Sequence, residues 1–104
     1  MKLGTALVAD DSRVFRTFAA EVIRELGVDV KEAATGRDAL DIALAERPQL
    51  LVLDALMPLL SGFDVIAKLR EKSPDYRPVV FIVTAVYKSR PGITYASFLQ
   101  FLGG

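Results

Sequence analysis

Apolar residues recur along the chain in two alternating rhythms. A short apolar run over 4–9, with Val8 inside it, reads as a first strand. Over 12–26 the apolar positions Phe15, Phe18, Val22, Ile23 and Leu26 fall at the spacing of one helix face, and Gly27 ends that helix. Residues 28–33 predict a weaker second strand. Residues 36–47 predict a second helix that turns Leu40, Ala43 and Leu44 inward and is stopped by Pro48. The alternation repeats with a continuous apolar strand over 50–53, a helix over 63–72 carrying Val65, Ile66 and Leu69 on one side, and a fully apolar strand over 79–83. Gly, Pro, Ser and Asp punctuate the joints.

Strands that are apolar throughout, rather than alternating, are those buried on both faces, as parallel strands are when helices cover a sheet from above and below. The pattern therefore predicts an α/β fold around a parallel sheet. Right-handed crossovers in such sheets leave a crevice outside the carboxyl ends of the strands, where ligands bind. Polar groups stand at those ends repeatedly: Asp10 and Asp11 after the first strand, Asp54 after the third, Thr84 after the fourth. Each has an ordinary reading when taken alone. One aspartate of the pair can cap the following helix while the other is solvated, Asp54 can start a turn, and a strand-end threonine can bond to backbone. Their coincidence on one rim changes the picture, because three carboxylates brought together raise one another's proton affinity unless a cation neutralises them.

Composition narrows which cation. The 104 residues fit one domain, and with neither cysteine nor histidine there is no disulfide, no zinc–thiolate site and no imidazole base. Oxygen ligands remain, which point to a hard ion such as Mg2+ beside a phosphoryl group. Thirteen basic residues balance thirteen acidic ones, and the pI is near 6.2. No long-range field attracts nucleic acid or an anionic membrane, and near-neutrality favours self-association. The longest uncharged apolar stretch inside the body, 79–87, is far shorter than the ~20 residues a bilayer span needs. The apolar start runs straight into Asp10 and Asp11 and reads as a strand rather than a secretory signal, so a cytoplasmic location is expected.

These residues resemble the receiver domain of bacterial response regulators, the phospho-accepting module of two-component signalling. The family's paired acidic residues match Asp10 and Asp11. Its aspartate followed by Met-Pro and then Gly matches Asp54, Met57, Pro58 and Gly62, and its Thr/Ser-Ala pair matches Thr84 and Ala85. The resemblance implies a flavodoxin-like doubly wound sheet of order 2-1-3-4-5. It also implies that Asp54 is the phosphoacceptor, with Mg2+ held by Asp10, Asp11, Asp54 and the backbone carbonyl of Leu56. Thr84 would bond a phosphoryl oxygen and move inward on phosphorylation. The implied partners are a histidine kinase or phosphotransfer protein and a downstream target protein, with no direct nucleic acid or membrane contact. Pro58, Gly62 and Met57 have structural readings and are left outside the catalytic set.

The likeness runs from Leu3 to about Ala85 and fades beyond it. Family members continue to a fifth strand ending in Lys-Pro and a final helix, whereas 91–104 carries no charge and no lysine. The expectation is an incomplete receiver over 1–90, its last β/α unit missing or replaced, followed by an atypical apolar tail over 91–104. Lys88, four residues after Thr84, is a candidate for the missing cation, although its place in the next loop rather than on a fifth strand argues against it. In the tail, Ile93, Tyr95, Phe98, Leu99, Phe101 and Leu102 fit an amphipathic helix or a replacement edge strand. They either fold back on the chain's own core or join two copies in a homodimer.

Two functions compete. One is a receiver that accepts a phosphoryl group on Asp54, acting at most as its own phosphotransfer and dephosphorylation catalyst. The other is a degenerate receiver kept as a protein-binding or dimerisation module. Three crowded carboxylates favour the first, and the absent lysine favours the second. An aspartate-nucleophile phosphatase is disfavoured because Ser12 stands where its acid–base aspartate is expected. Neither glycine-rich nucleotide motif is present.

Overall fold

The computed structural model describes residues 4–88 together with 97, 98, 100 and 102. Strands and helices alternate as β1 (Thr5–Ala9), α1 (Arg13–Glu25), β2 (Asp29–Ala33), α2 (Gly36–Glu46), β3 (Leu50–Asp54), α3 (Gly62–Lys72), β4 (Val79–Val83) and α4 (Ala85–Lys88). The four strands form one parallel sheet in the order β2-β1-β3-β4. This is the expected α/β doubly wound topology, with the order reversing at β1 and β3. The carboxyl ends of those two strands therefore sit side by side where helices leave for opposite faces.

Strand periodicity divides the core into two layers. On one face Leu7, Ala9, Leu51 and Leu53 pack against Ala39, Leu40 and Ala43 of α2 and Val65 and Leu69 of α3. On the other, Ala6, Val8, Val52 and Val83 pack against Phe15, Ala19, Val22 and Ile23 of α1. The edge strand β2 turns Asp29, Lys31 and Glu32 to solvent, which explains its weak apolar signal and discourages edge-to-edge pairing. Strand β4 departs from the sequence expectation: Val79 is 59% exposed and Val80, Phe81 and Ile82 are only half-buried. Among the described residues no strand pairs with its second edge, so a fully apolar sequence here does not mean full burial.

Each long helix starts on a side-chain cap. Ser12 accepts the N–H of Phe15, Thr35 that of Asp38, and Ser61 exchanges reciprocal bonds with Asp64. Capping of α1 thus falls to Ser12 rather than to Asp10 or Asp11, which leaves both aspartates for other work.

Of the tail, Phe98 is fully buried on the chain's own core. Its ring lies edge-on to Phe15 at 5.7 Å, tilted against Phe18 at 5.5 Å and Tyr87 at 6.5 Å, and Leu102 is half-buried beside it. Ile93, Tyr95, Leu99 and Phe101 lie outside the described residues.

Candidate functional site

Register brings the acidic groups together. Ala9 of β1 pairs with Leu53 of β3, so Asp10 and Asp54 leave adjacent strands at the same level. The Asp10 backbone N–H still donates to Ala33 at 3.0 Å, extending the sheet by one residue. Its carbonyl accepts Arg16 Nη1 at 2.8 Å, its Oδ1 accepts the Ser12 N–H at 2.8 Å, and Glu32 holds the other side of Arg16 at 3.3 Å. A carboxylate fixed this way keeps its direction without a ligand present. Asp10 and Asp54 are buried, and Asp11 is exposed at the rim.

One oxygen from each of Asp10, Asp11 and Asp54 lies within 4.8 Å of the others. Lys88 completes the cluster. Its Nζ stands 3.1 Å from both oxygens of Asp10 and 3.2 Å from Asp54 Oδ1, and 5.8 Å over the ring of Phe15. The residue ends the single turn of α4 rather than lying in an irregular loop, and that turn aims its side chain back over the carboxyl ends of the strands. Phe15, which the sequence pattern marks as core alone, also forms the apolar wall beside this ammonium.

Burial pushes the Asp54 carboxyl above the ordinary aspartate range, the Asp10 charge adds to the rise, and Lys88 opposes both. For Lys88 burial works against the charged form, but the Asp10 and Asp54 carboxylates outweigh it and hold the ammonium above its ordinary value. The Lys88 ammonium thus offsets part of the cost of burying the Asp54 carboxyl beside Asp10.

The remaining predicted residues are placed differently. Thr84 is exposed, and its Oγ1 accepts the Tyr87 N–H at 3.3 Å, opening α4. Leu56 turns its side chain to solvent, while its N–H points at Asp54 Oδ1 from 3.4 Å. The loop from there to α3 is set by two glycines. A Cβ on Gly62 would stand 2.5 Å from the Asp54 carbonyl oxygen, and one on Gly36 would collide with the Leu60 carbonyl. Within the loop Leu59 takes a positive φ of 73°, bridged by a bond from the Leu60 N–H to the Pro58 carbonyl at 2.8 Å. Sequence spacing pointed to Gly62 through its match to the motif; nothing local pointed to Gly36 or Arg16.

Three converging carboxylate oxygens are a donor set for a hard divalent cation, and they fit Mg2+ in kind and number. With this geometry in view, comparison with known proteins defines the class. Residues 6–96 match the response regulator receiver domain, and the chain belongs to that family.

Over 78 residues, 75% of this chain, it is 37% identical to the probable transcriptional regulatory protein TcrX of Mycobacterium tuberculosis. Over 76 residues, 73% of this chain, it is 33% identical to the autoinducer 1 sensor kinase/phosphatase LuxN of Vibrio campbellii. The chain spans 33% and 9% of the lengths of those two relatives. Among solved structures, the chemotaxis response regulator CheY4 of Vibrio cholerae superimposes with a TM-score of 0.81 at 22% identity, covering 98% of each chain, which shows the shared fold. No described helix is long and apolar enough to cross a membrane.

Proposed function

We propose that this receiver accepts a phosphoryl group on Asp54 from a histidine kinase or phosphotransfer protein and passes the change to a downstream target protein. The observation that carries the reading is the convergence of Asp10, Asp11, Asp54 and Lys88 at the sheet's switch point. An Asp54 oxygen attacks phosphorus in line as the donor's P–N bond breaks. The imidazole nitrogen leaves with the electron pair, and an acyl phosphate forms on Asp54. Asp54 must be ionised to attack, and Lys88 opposes the upward push that burial and Asp10 exert on its carboxyl.

Asp10, Asp11, Asp54 and the Leu56 carbonyl would hold Mg2+, which when bound neutralises charge on the transferring group. Among the described residues Lys88 is the cation that reaches the Asp54 oxygen, in the role left open by the absence of a lysine from 91–104. Thr84 lies one residue past β4, where turning its hydroxyl inward would give up the Tyr87 cap. A cytoplasmic location suits the partners this chemistry implies.

The alternative, a receiver retained for association, is supported by exposed Val14, Leu56, Leu59 and Phe63. Beryllofluoride with Mg2+ separates the two readings. In the phosphoacceptor, amide shifts centre on Asp54, spread through Thr84 to α4, and vanish in Asp54→Asn. In an association module the mimic leaves the spectrum unchanged.

A further inference from the structure

We propose that Lys88 is a tethered cation that competes with the divalent ion for Asp10, so that metal binding must pull the ammonium off Asp10 and thereby disturb α4. The inference rests on the phosphoacceptor reading and concerns this chain's own residue at that site.

The geometry sets two cations against each other. Mg2+ requires carboxylate oxygens at ~2.0–2.1 Å in a near-octahedral shell and keeps several waters. The ammonium faces both Asp10 oxygens at 3.1 Å, and Oδ1 of the same carboxylate already accepts the Ser12 N–H. Asp54 Oδ1 is shared between Lys88 and the Leu56 N–H. An ion with its waters cannot join Asp10 and Asp54 while the ammonium lies between them.

The lysine has a way out and a tether. A notch of about 370 Å3 lined by Ser12, Val14, Phe15, Phe18 and Lys88 opens beside it, giving the ammonium room away from Asp10. Its backbone is bound to the site's rim: the Lys88 N–H donates to the Thr84 carbonyl at 3.1 Å, and the preceding Tyr87 N–H bonds the Thr84 hydroxyl. Tyr87 in turn packs against buried Phe98. Metal occupancy is therefore felt by α4 before any phosphoryl group arrives, and the displaced ammonium remains within reach of Asp54 for the incoming phosphoryl oxygens.

Calorimetric Mg2+ titration of the wild type, Lys88→Ala and Lys88→Gln tests this. Removing the competing charge should tighten Mg2+ binding by about tenfold or more in both variants. In the wild type, Mg2+ should shift the Lys88 side-chain CεH2 signal and the Tyr87 and Lys88 amides, a readout that stands even if a variant fails to fold. Unchanged or weaker affinity in the variants, or an unmoved CεH2 signal at Mg2+ saturation of the wild type, overturns the competition and leaves the phosphoacceptor reading intact. No Mg2+ binding by any of the three proteins overturns both the competition and the metal site.

Discussion

The Lys88 ammonium stands 3.1 Å from both oxygens of Asp10, a residue 78 positions earlier in the chain, and bridges it to Asp54 at 3.2 Å. Asp10 and Asp54 side chains are only 2% and 5% exposed, so the pair depends on this one cation more than a surface ion pair depends on its partner. Replacing it by methionine, of similar length and no charge, leaves two buried carboxylates facing each other. Urea unfolding of Lys88→Met without metal should show a loss of about 3 kcal/mol. A loss under about 0.5 kcal/mol would mean the bridge is no better than a surface pair.

Phe98 ties the chain beyond α4 to the core. Its ring is fully buried among Phe15, Phe18 and Tyr87, and truncation there removes a large side chain from a packed layer. Phe98→Ala should cost about 3–5 kcal/mol by denaturant unfolding. The same substitution at Phe63, which is 62% exposed, should cost under about 1 kcal/mol.

Gly62 tests the close approach behind Asp54. A methyl there meets the Asp54 carbonyl oxygen and reaches Ile82 Cδ1 at 3.3 Å, so strand β3 or the start of α3 must shift. Gly62→Ala should destabilise by about 1–3 kcal/mol despite alanine's better helix propensity, with amide shifts concentrated at Asp54 and Ala55.

Much of the fold is legible in the sequence because its signals are local. Helix faces, glycine and proline stops and apolar strands mark every long element, and the carboxyl-end positions of Asp10 and Asp54 follow from them. Strand β4 is the exception: an apolar run such as 79–83 reports what the chain offers, whereas burial depends on neighbours that lie elsewhere in sequence. Lys88 is legible as a candidate, but its helical placement is not, because a single turn has too few residues to show a period. Arg16, which fixes the Asp10 carbonyl, and Gly36, which accommodates the Leu60 backbone, act across the sheet's rim, and no spacing rule reaches across it.

Tyr76 gives the stability a dependence on alkaline pH. Its hydroxyl donates to the Pro48 carbonyl, and burial pushes its pKa from 10.0 up to about 12, with Arg47 opposing the rise. The unfolded chain ionises first, so this contribution is whole below pH 10 and is lost as pH climbs from about 10 to 12. Tyr76→Phe should lower stability by about 1 kcal/mol at neutral pH through the lost hydrogen bond, and flatten the alkaline decline between those limits. An equally steep decline in the variant would place the titrating group elsewhere.

If Asp54 carries the phosphoryl group, its covalent chemistry can be read directly. Borohydride reduces an acyl phosphate of aspartate to homoserine, and peptide mass spectrometry then locates the modified position. After incubation with Mg2+ and a small phosphodonor, homoserine should appear at position 54 in the wild type. It should be absent without the donor and absent in Asp54→Asn. A phosphorylated chain whose modified residue lies anywhere else, or no modification at any donor concentration while Mg2+ is bound, would contradict the phosphoacceptor reading.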